Sequence, residues 1–85
     1  MNNNWSEGEI RIPAKDSSRY VDFKYQMKHF EEPSEFGIDG GRISKLFLRE
    51  TKSGEIACNY DRGWDIEPTS TEAETAYKIL IMKYN

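Results

Sequence analysis

The chain holds one cysteine, Cys58, and one histidine, His29, among 85 residues. A single cysteine excludes an intrachain disulfide and any metal site built from several thiolates. Nor do the two residues suggest a catalytic pair. They fall in separate strand-like runs, at positions that read as packed, whereas a nucleophile and its base must lie within hydrogen-bond reach. We therefore expect no enzyme, no catalytic residue, no metal and no cofactor. Long hydrophobic runs are missing too. The longest, Ile79 to Met82, is far short of the roughly 20 apolar residues that cross a bilayer. The opening residues MNNNWSEGE lack the basic and apolar regions of a secretory signal. The expected setting is cytoplasmic, with no membrane partner. Lys and Arg never cluster along the chain, and 12 basic against 15 acidic residues leave a net charge of -3. On that ground no binding to a nucleic-acid backbone is expected.

What the chain does have is aromatic residues, 13% of the total, each able to bury a large apolar area. They offset a polar mean hydropathy of -0.85 and predict one small domain over residues 5–85, behind a disordered tail at 1–4. Alternation marks the strands. Gly8 to Ile12 places Ile10 and Ile12 on one face. Arg19 to Phe30 is clearer, with Val21, Phe23, Tyr25 and Met27 on one side and Asp22, Lys24, Gln26 and Lys28 on the other. His29 continues the apolar side. Gly41 to Thr51 alternates less cleanly, since Leu46 and Leu48 oppose Ile43 and Phe47; either a bulge near Ser44 or a strand that covers something on both sides would reconcile them. Lys52-Ser53-Gly54 turns the chain into Glu55 to Tyr60, where Ile56, Cys58 and Tyr60 align.

At Pro68 the period changes from two to 3.6. Thr69 to Tyr84 reads as a helix with Ala73, Ala76, Tyr77, Leu80, Ile81 and Tyr84 as its buried stripe. Thr69 and Thr71 each stand three residues before a glutamate, as in a capping box. The predicted fold class is α+β: an antiparallel four-stranded meander sheet with one C-terminal helix packed on one face. The other face stays wet or makes contacts. Tyr20, Phe30 and Phe47 on it would favour self-association into a homo-oligomer.

Two connections stand apart by composition. Glu31 to Gly41 carries Pro33, Gly37, Gly40 and Gly41 among four acids. Its length and stiffness suit a binding loop, and equally a tight turn with Phe36 and Ile38 closing the core. It is no phosphate cradle, because it leads into a strand and not into a helix. Asn59 to Pro68 alternates oxygen donors at Asn59, Asp61, Asp65 and Glu67, but Trp64 occupies the glycine position of a calcium loop. Arg42 and Arg62 each sit beside glycine in acidic surroundings. Each could tie the loops together by pairing with Asp39 or Asp61, or else flank a pocket for a planar anion beside an aromatic ring.

The runs EEPSEFGIDGGRISKL and NYDRGWDIEP, followed by a C-terminal helix, resemble a small family of uncharacterised domains of unknown function in Gram-positive bacteria and their phages and mobile elements. The resemblance covers nearly the whole chain and implies bacterial or phage origin without implying an activity. The leading expectation is a non-catalytic binding module acting through the two loops, with Glu35, Phe36, Asp39, Arg42, Asp61, Arg62, Trp64 and Asp65 as its binding residues. Its partner is a protein or a small anionic ligand. The alternatives are a protein that sequesters a small ligand or nucleotide, and an acidic phage-encoded inhibitor of a host protein.

Overall fold

A computed structural model describes residues 5–16, 18–35 and 37–85. The tail expected to be disordered at 1–4, and Phe36 among the expected binding residues, lie outside the described residues. The chain forms β1 (Trp5–Pro13), β2 (Tyr20–His29), a single 3-10 turn at Ile38–Gly40, β3 (Ile43–Glu50), β4 (Ile56–Asp61), β5 (Trp64–Ile66) and α1 (Thr71–Tyr84). All strand pairings are antiparallel, and the strands lie side by side in chain order. The α+β class and the C-terminal helix on the sheet are as expected, but the strand count is five, not four. The fifth strand is only three residues long, and Trp64-Asp65-Ile66 sits in a stretch whose alternating acids read as a loop.

Pleating sorts the side chains. One face carries Ile10 and Ile12 from β1, paired with Phe23 and Val21 of β2, then Met27 against Leu46, and Leu48 against Cys58. Phe23, Met27, Ile43, Leu46, Leu48 and Cys58 are fully buried there with Ile38. The helix closes this face through Ala73, Ala76 and Leu80, with Tyr77, Ile81 and Tyr84 packed at the border. Burying each large aliphatic or Phe side chain contributes about 1.5–3 kcal/mol. His29 keeps to the same side, its ring 5.3 Å from that of Tyr84. Gly8 leaves room for its cross-strand neighbour: a Cβ there would come within 2.8 Å of the Tyr25 hydroxyl.

The register shifts in three of the pairings, and two of these shifts reshape the core. Lys28 pairs with Lys45 and His29 with Ile43, so Ser44 is the extra residue. The irregularity expected near Ser44 is therefore present, and it lets Ile43 join the core although its parity matches Phe47. A second bulge follows Leu48, which pairs with Cys58 while Arg49 pairs with Ile56. This breaks the expected alignment of Ile56 with Cys58 and Tyr60. Ile56 is 39% exposed, and Ala57 is buried in its place.

The helix start also differs from expectation. Ser70 is the N-cap, its hydroxyl accepting from the Ala73 N–H at 3.0 Å, so neither threonine takes that role. Glu72 is turned outward to a different partner. It accepts from the Lys15 backbone N–H at 2.7 Å, joining the β1–β2 connection to the first helical turn. That bond, and the N–H of Glu72 itself, lower its pKa.

The packing fixes two outcomes. Leu80→Ala removes a side chain that is 2% exposed and should cost about 2–5 kcal/mol in a denaturant melt; an unchanged midpoint would mean that the helix does not hold the sheet. Cys58 is buried, and desolvation pushes its thiol up to about 12, beyond reach of ordinary alkaline titration. Ellman's reagent should modify it only as the protein unfolds. Rapid modification in the native state would contradict the burial.

Candidate functional site

The two marked connections meet at one end of the sheet, and backbone bonds set how. In the first, the Gly37 N–H donates to Ser34 O and the Ser34 N–H to Gly41 O, drawing the loop into a compact knot. A Cβ on Gly37 would collide with the Gly41 carbonyl, and one on Gly41 with the side chain of Asn85. Asn85 is why the knot closes on the helix. Its carboxamide Nδ2 donates to Ile38 O and its Oδ1 accepts from the Ile43 N–H, both at 2.9 Å. In the second connection, Asp61 and Gly63 close a tight turn with Arg62 at φ 59. The Arg62 N–H donates to Ser44 O at 2.9 Å, docking this turn on the bulge of β3.

The expected binding residues are thereby divided between the two faces. Asp39, at φ 53 in the 3-10 turn, lies on the helix side. There burial, then the Asp39 charge, raises the phenol pKa values of Tyr60 and Tyr77. Trp64 shares that side, with edge-on contacts to Tyr60 at 5.1 Å and Tyr77 at 5.2 Å. With Glu67, Pro68, Glu74 and Tyr77 it borders a shallow cleft of about 290 Å³. Glu74 is already paired with Lys78 at 3.1 Å.

Asp61, Arg62 and Asp65 belong to the uncovered face. Asp65 accepts from Asn59 Nδ2 at 3.3 Å. Glu35 is exposed on the turn between Ser34 and Gly37, and Arg42 is half-buried. No ion pair joins the two connections among the described residues. Arg62 pairs with its own neighbour, Nε to Asp61 Oδ1 at 3.7 Å, and Arg42 forms no ion pair with another described residue.

What joins the connections instead is a cleft of about 300 Å³ on the uncovered face, lined by Lys28, Phe30, Ser34, Ser44, Lys45 and Arg62. That volume is at the small end of ligand sites. Two of its three cations meet on one carboxylate: Lys45 Nζ reaches the same Asp61 oxygen as Arg62, at 3.8 Å. Both contacts are long and open to water, so they hold the cations weakly. Lys28 Nζ lies 5.4 Å from the centre of the Phe30 ring, within cation–π range. Positive charge is in excess there, beside a ring and two hydroxyl-bearing residues. A larger cleft of about 450 Å³ at the opposite end of the sheet contains Arg11 and Asp22. Their two-pronged bond, at 2.8 and 3.3 Å, satisfies both groups internally.

Of the cleft residues only Arg62 is among the expected binding residues, while Phe30 is expected on the exposed contact face and Ser44 at a bulge. Lys28 and Lys45 share the polar parity of their strands, but their pairing is set by the register between β2 and β3, and Arg62 joins them by docking on the Ser44 bulge. Among the described residues no group of three or more His, Cys, Asp or Glu side chains is placed to hold a metal ion, and no helix is long and apolar enough to cross a membrane.

Arg62 adopts the left-handed backbone region, which costs a non-glycine residue about 1–2 kcal/mol. Arg62→Gly should therefore keep or raise the melting temperature. A fall equivalent to more than about 1 kcal/mol would show that the guanidinium supports the fold.

No curated protein and no solved structure matches the chain. The model of a family described as a domain of unknown function, DUF7678, matches residues 4–85, and the chain belongs to that family.

Proposed function

We propose that the domain is a non-catalytic binding module whose ligand is a small anion carrying a planar group, held in the cleft between the two connections. The observation behind this reading is the gathering of Lys28, Lys45 and Arg62 in one cleft beside the Phe30 ring, with Asp61 the one carboxylate paired to Lys45 and Arg62. Two loosely paired cations and a third over an aromatic ring suit a phosphate or carboxylate. Arg62 offers a planar fork for bidentate contact, and the Lys side chains act as point charges. The ring gives a flat surface for a base. This favours the ligand-sequestering alternative over a loop-to-protein contact, and it moves the working surface to the underside of the loops.

A second reading keeps the outer side of the first loop as a protein contact. Glu31, Glu32, Glu35 and Asp39 are all exposed, so the loop presents four acids to a basic partner, as an inhibitor encoded by a phage or mobile element would. A bacterial or phage origin suits either reading.

Thermal-shift measurements with inorganic phosphate and nucleoside 5′-monophosphates distinguish them. A ligand at 100 times its Kd stabilises by about 2.7 kcal/mol, and each kcal/mol moves the midpoint of a domain this size by about 4–8 °C. We expect a shift with a monophosphate that disappears in Arg62→Ala and survives Glu35→Gln. No shift with any of these probes, or one indifferent to Arg62, would remove the cleft reading.

A further inference from the structure

The cleft is one end of a longer feature. On the uncovered face, β2 and β3 place Lys28 directly opposite Lys45, then Gln26 opposite Phe47, then Lys24 opposite Arg49. Side chains so paired have Cβ atoms about 4.5–5.5 Å apart, and like charges there destabilise a sheet. Two like-charged pairs in one strand pairing are therefore a local cost to folding. Outer strands only partly relieve it. Glu9 stands opposite Lys24 on β1, and Asp61 opposite Lys45 on β4. Arg49 Nη1 donates to Gly54 O at 3.1 Å, and its guanidinium carbon lies 5.3 Å from the Phe47 ring centre.

A stripe results, with cations at both ends, an aromatic ring between them and Phe30 beyond. The two cation pairs are four residues apart, about 13 Å along the strands. Acids flank the stripe on both outer sides, Glu7 and Glu9 on β1, Asp61 on β4 and Asp65 on β5. An anionic chain lying on this face is thus confined to β2 and β3 and runs along them.

We propose that this stripe binds single-stranded nucleic acid, with phosphates on Lys24, Lys28, Lys45 and Arg49 and bases against Phe47 and Phe30. Cations alone would suit an acidic peptide equally. Aromatic rings in line with them favour a strand whose successive bases each offer a flat face, because base–ring stacking adds affinity without demanding sequence. A linear scan misses the patch because its cations come from two strands and are spaced by four, and the register alone gathers them. The inference rests on the cleft reading for the end at Lys28 and Lys45, and extends it toward Lys24 and Phe47, which do not line the cleft.

Fluorescence anisotropy with a labelled twelve-nucleotide deoxythymidine strand tests it, with a polyglutamate peptide of matching length as control. Three to four phosphate contacts predict a roughly 20–50-fold loss of affinity between 50 and 200 mM salt. Lys24→Gln should weaken binding and reduce the salt slope. Phe47→Leu should weaken binding about five-fold or more with the slope unchanged. Both variants should leave the monophosphate thermal shift intact, and Lys24→Gln should hold or raise the melting temperature by relieving Arg49. Equal affinity for polyglutamate with no effect of Phe47→Leu would overturn the proposal in favour of an acidic protein partner. A strand that binds no more tightly than a monophosphate would overturn it while leaving the cleft reading in place. Strand binding that depends on Lys24 and Phe47, without any monophosphate shift, would uphold the stripe and remove the small-ligand cleft.

Discussion

Everything in this domain depends on the pleat of β2. It lies between β1 and β3, and its ten residues send alternate side chains to opposite sides. Val21, Phe23, Tyr25 and Met27 serve the core under the helix; Asp22, Lys24, Gln26 and Lys28 build the surface on the other side. A slip of one residue would exchange the two sets and destroy both faces together. The same alternation therefore makes the fold stable and gathers the cations. Neither property survives a change of register along this strand.

Much of the architecture could be read from the chain because it rests on local periodicity. The long strand, the helix after Pro68 and its buried stripe all follow from spacing. The features that could not be read are those decided by partners distant in sequence. Three-residue β5 is too short to show a period, and exists because Tyr60 and Asn59 pair with it. Ser70 outcompetes both threonines as the cap because it alone is extended immediately before the first turn, with its hydroxyl on the Ala73 N–H. Ile56 leaves the core line because a bulge intervenes. The candidate site suffered most. Six residues from two strands, a loop and a turn line the cleft, brought together by the β2–β3 register and by the docking of Arg62 on Ser44.

The glycine-rich loop shows the tight turning that its composition suggested alongside a binding role. Gly37 and Gly41 permit a close approach between backbone segments and the Asn85 carboxamide, which then satisfies one donor and one acceptor of the loop. That carboxamide is half-buried, and leaving its two partners unmet would cost about 1–3 kcal/mol each. The glycines are thus structural. The loop places Phe30 and Ser34 beside β3, and its Asp39 lies on the helix side, away from the cations that the loop helps to enclose.

The sheet also has two outer margins, and each is closed to growth in its own way. At β5 only three residues are offered, too few for another chain to add a stable strand. At β1 nine residues run along the margin, a length that would invite such addition. There Glu7, Glu9 and Arg11 would each have to give up water next to an incoming backbone, and Pro13 has no N–H to donate. A sheet with one face left uncovered by the helix thereby restricts pairing at its rims, so that the ribbon of five strands ends where it does.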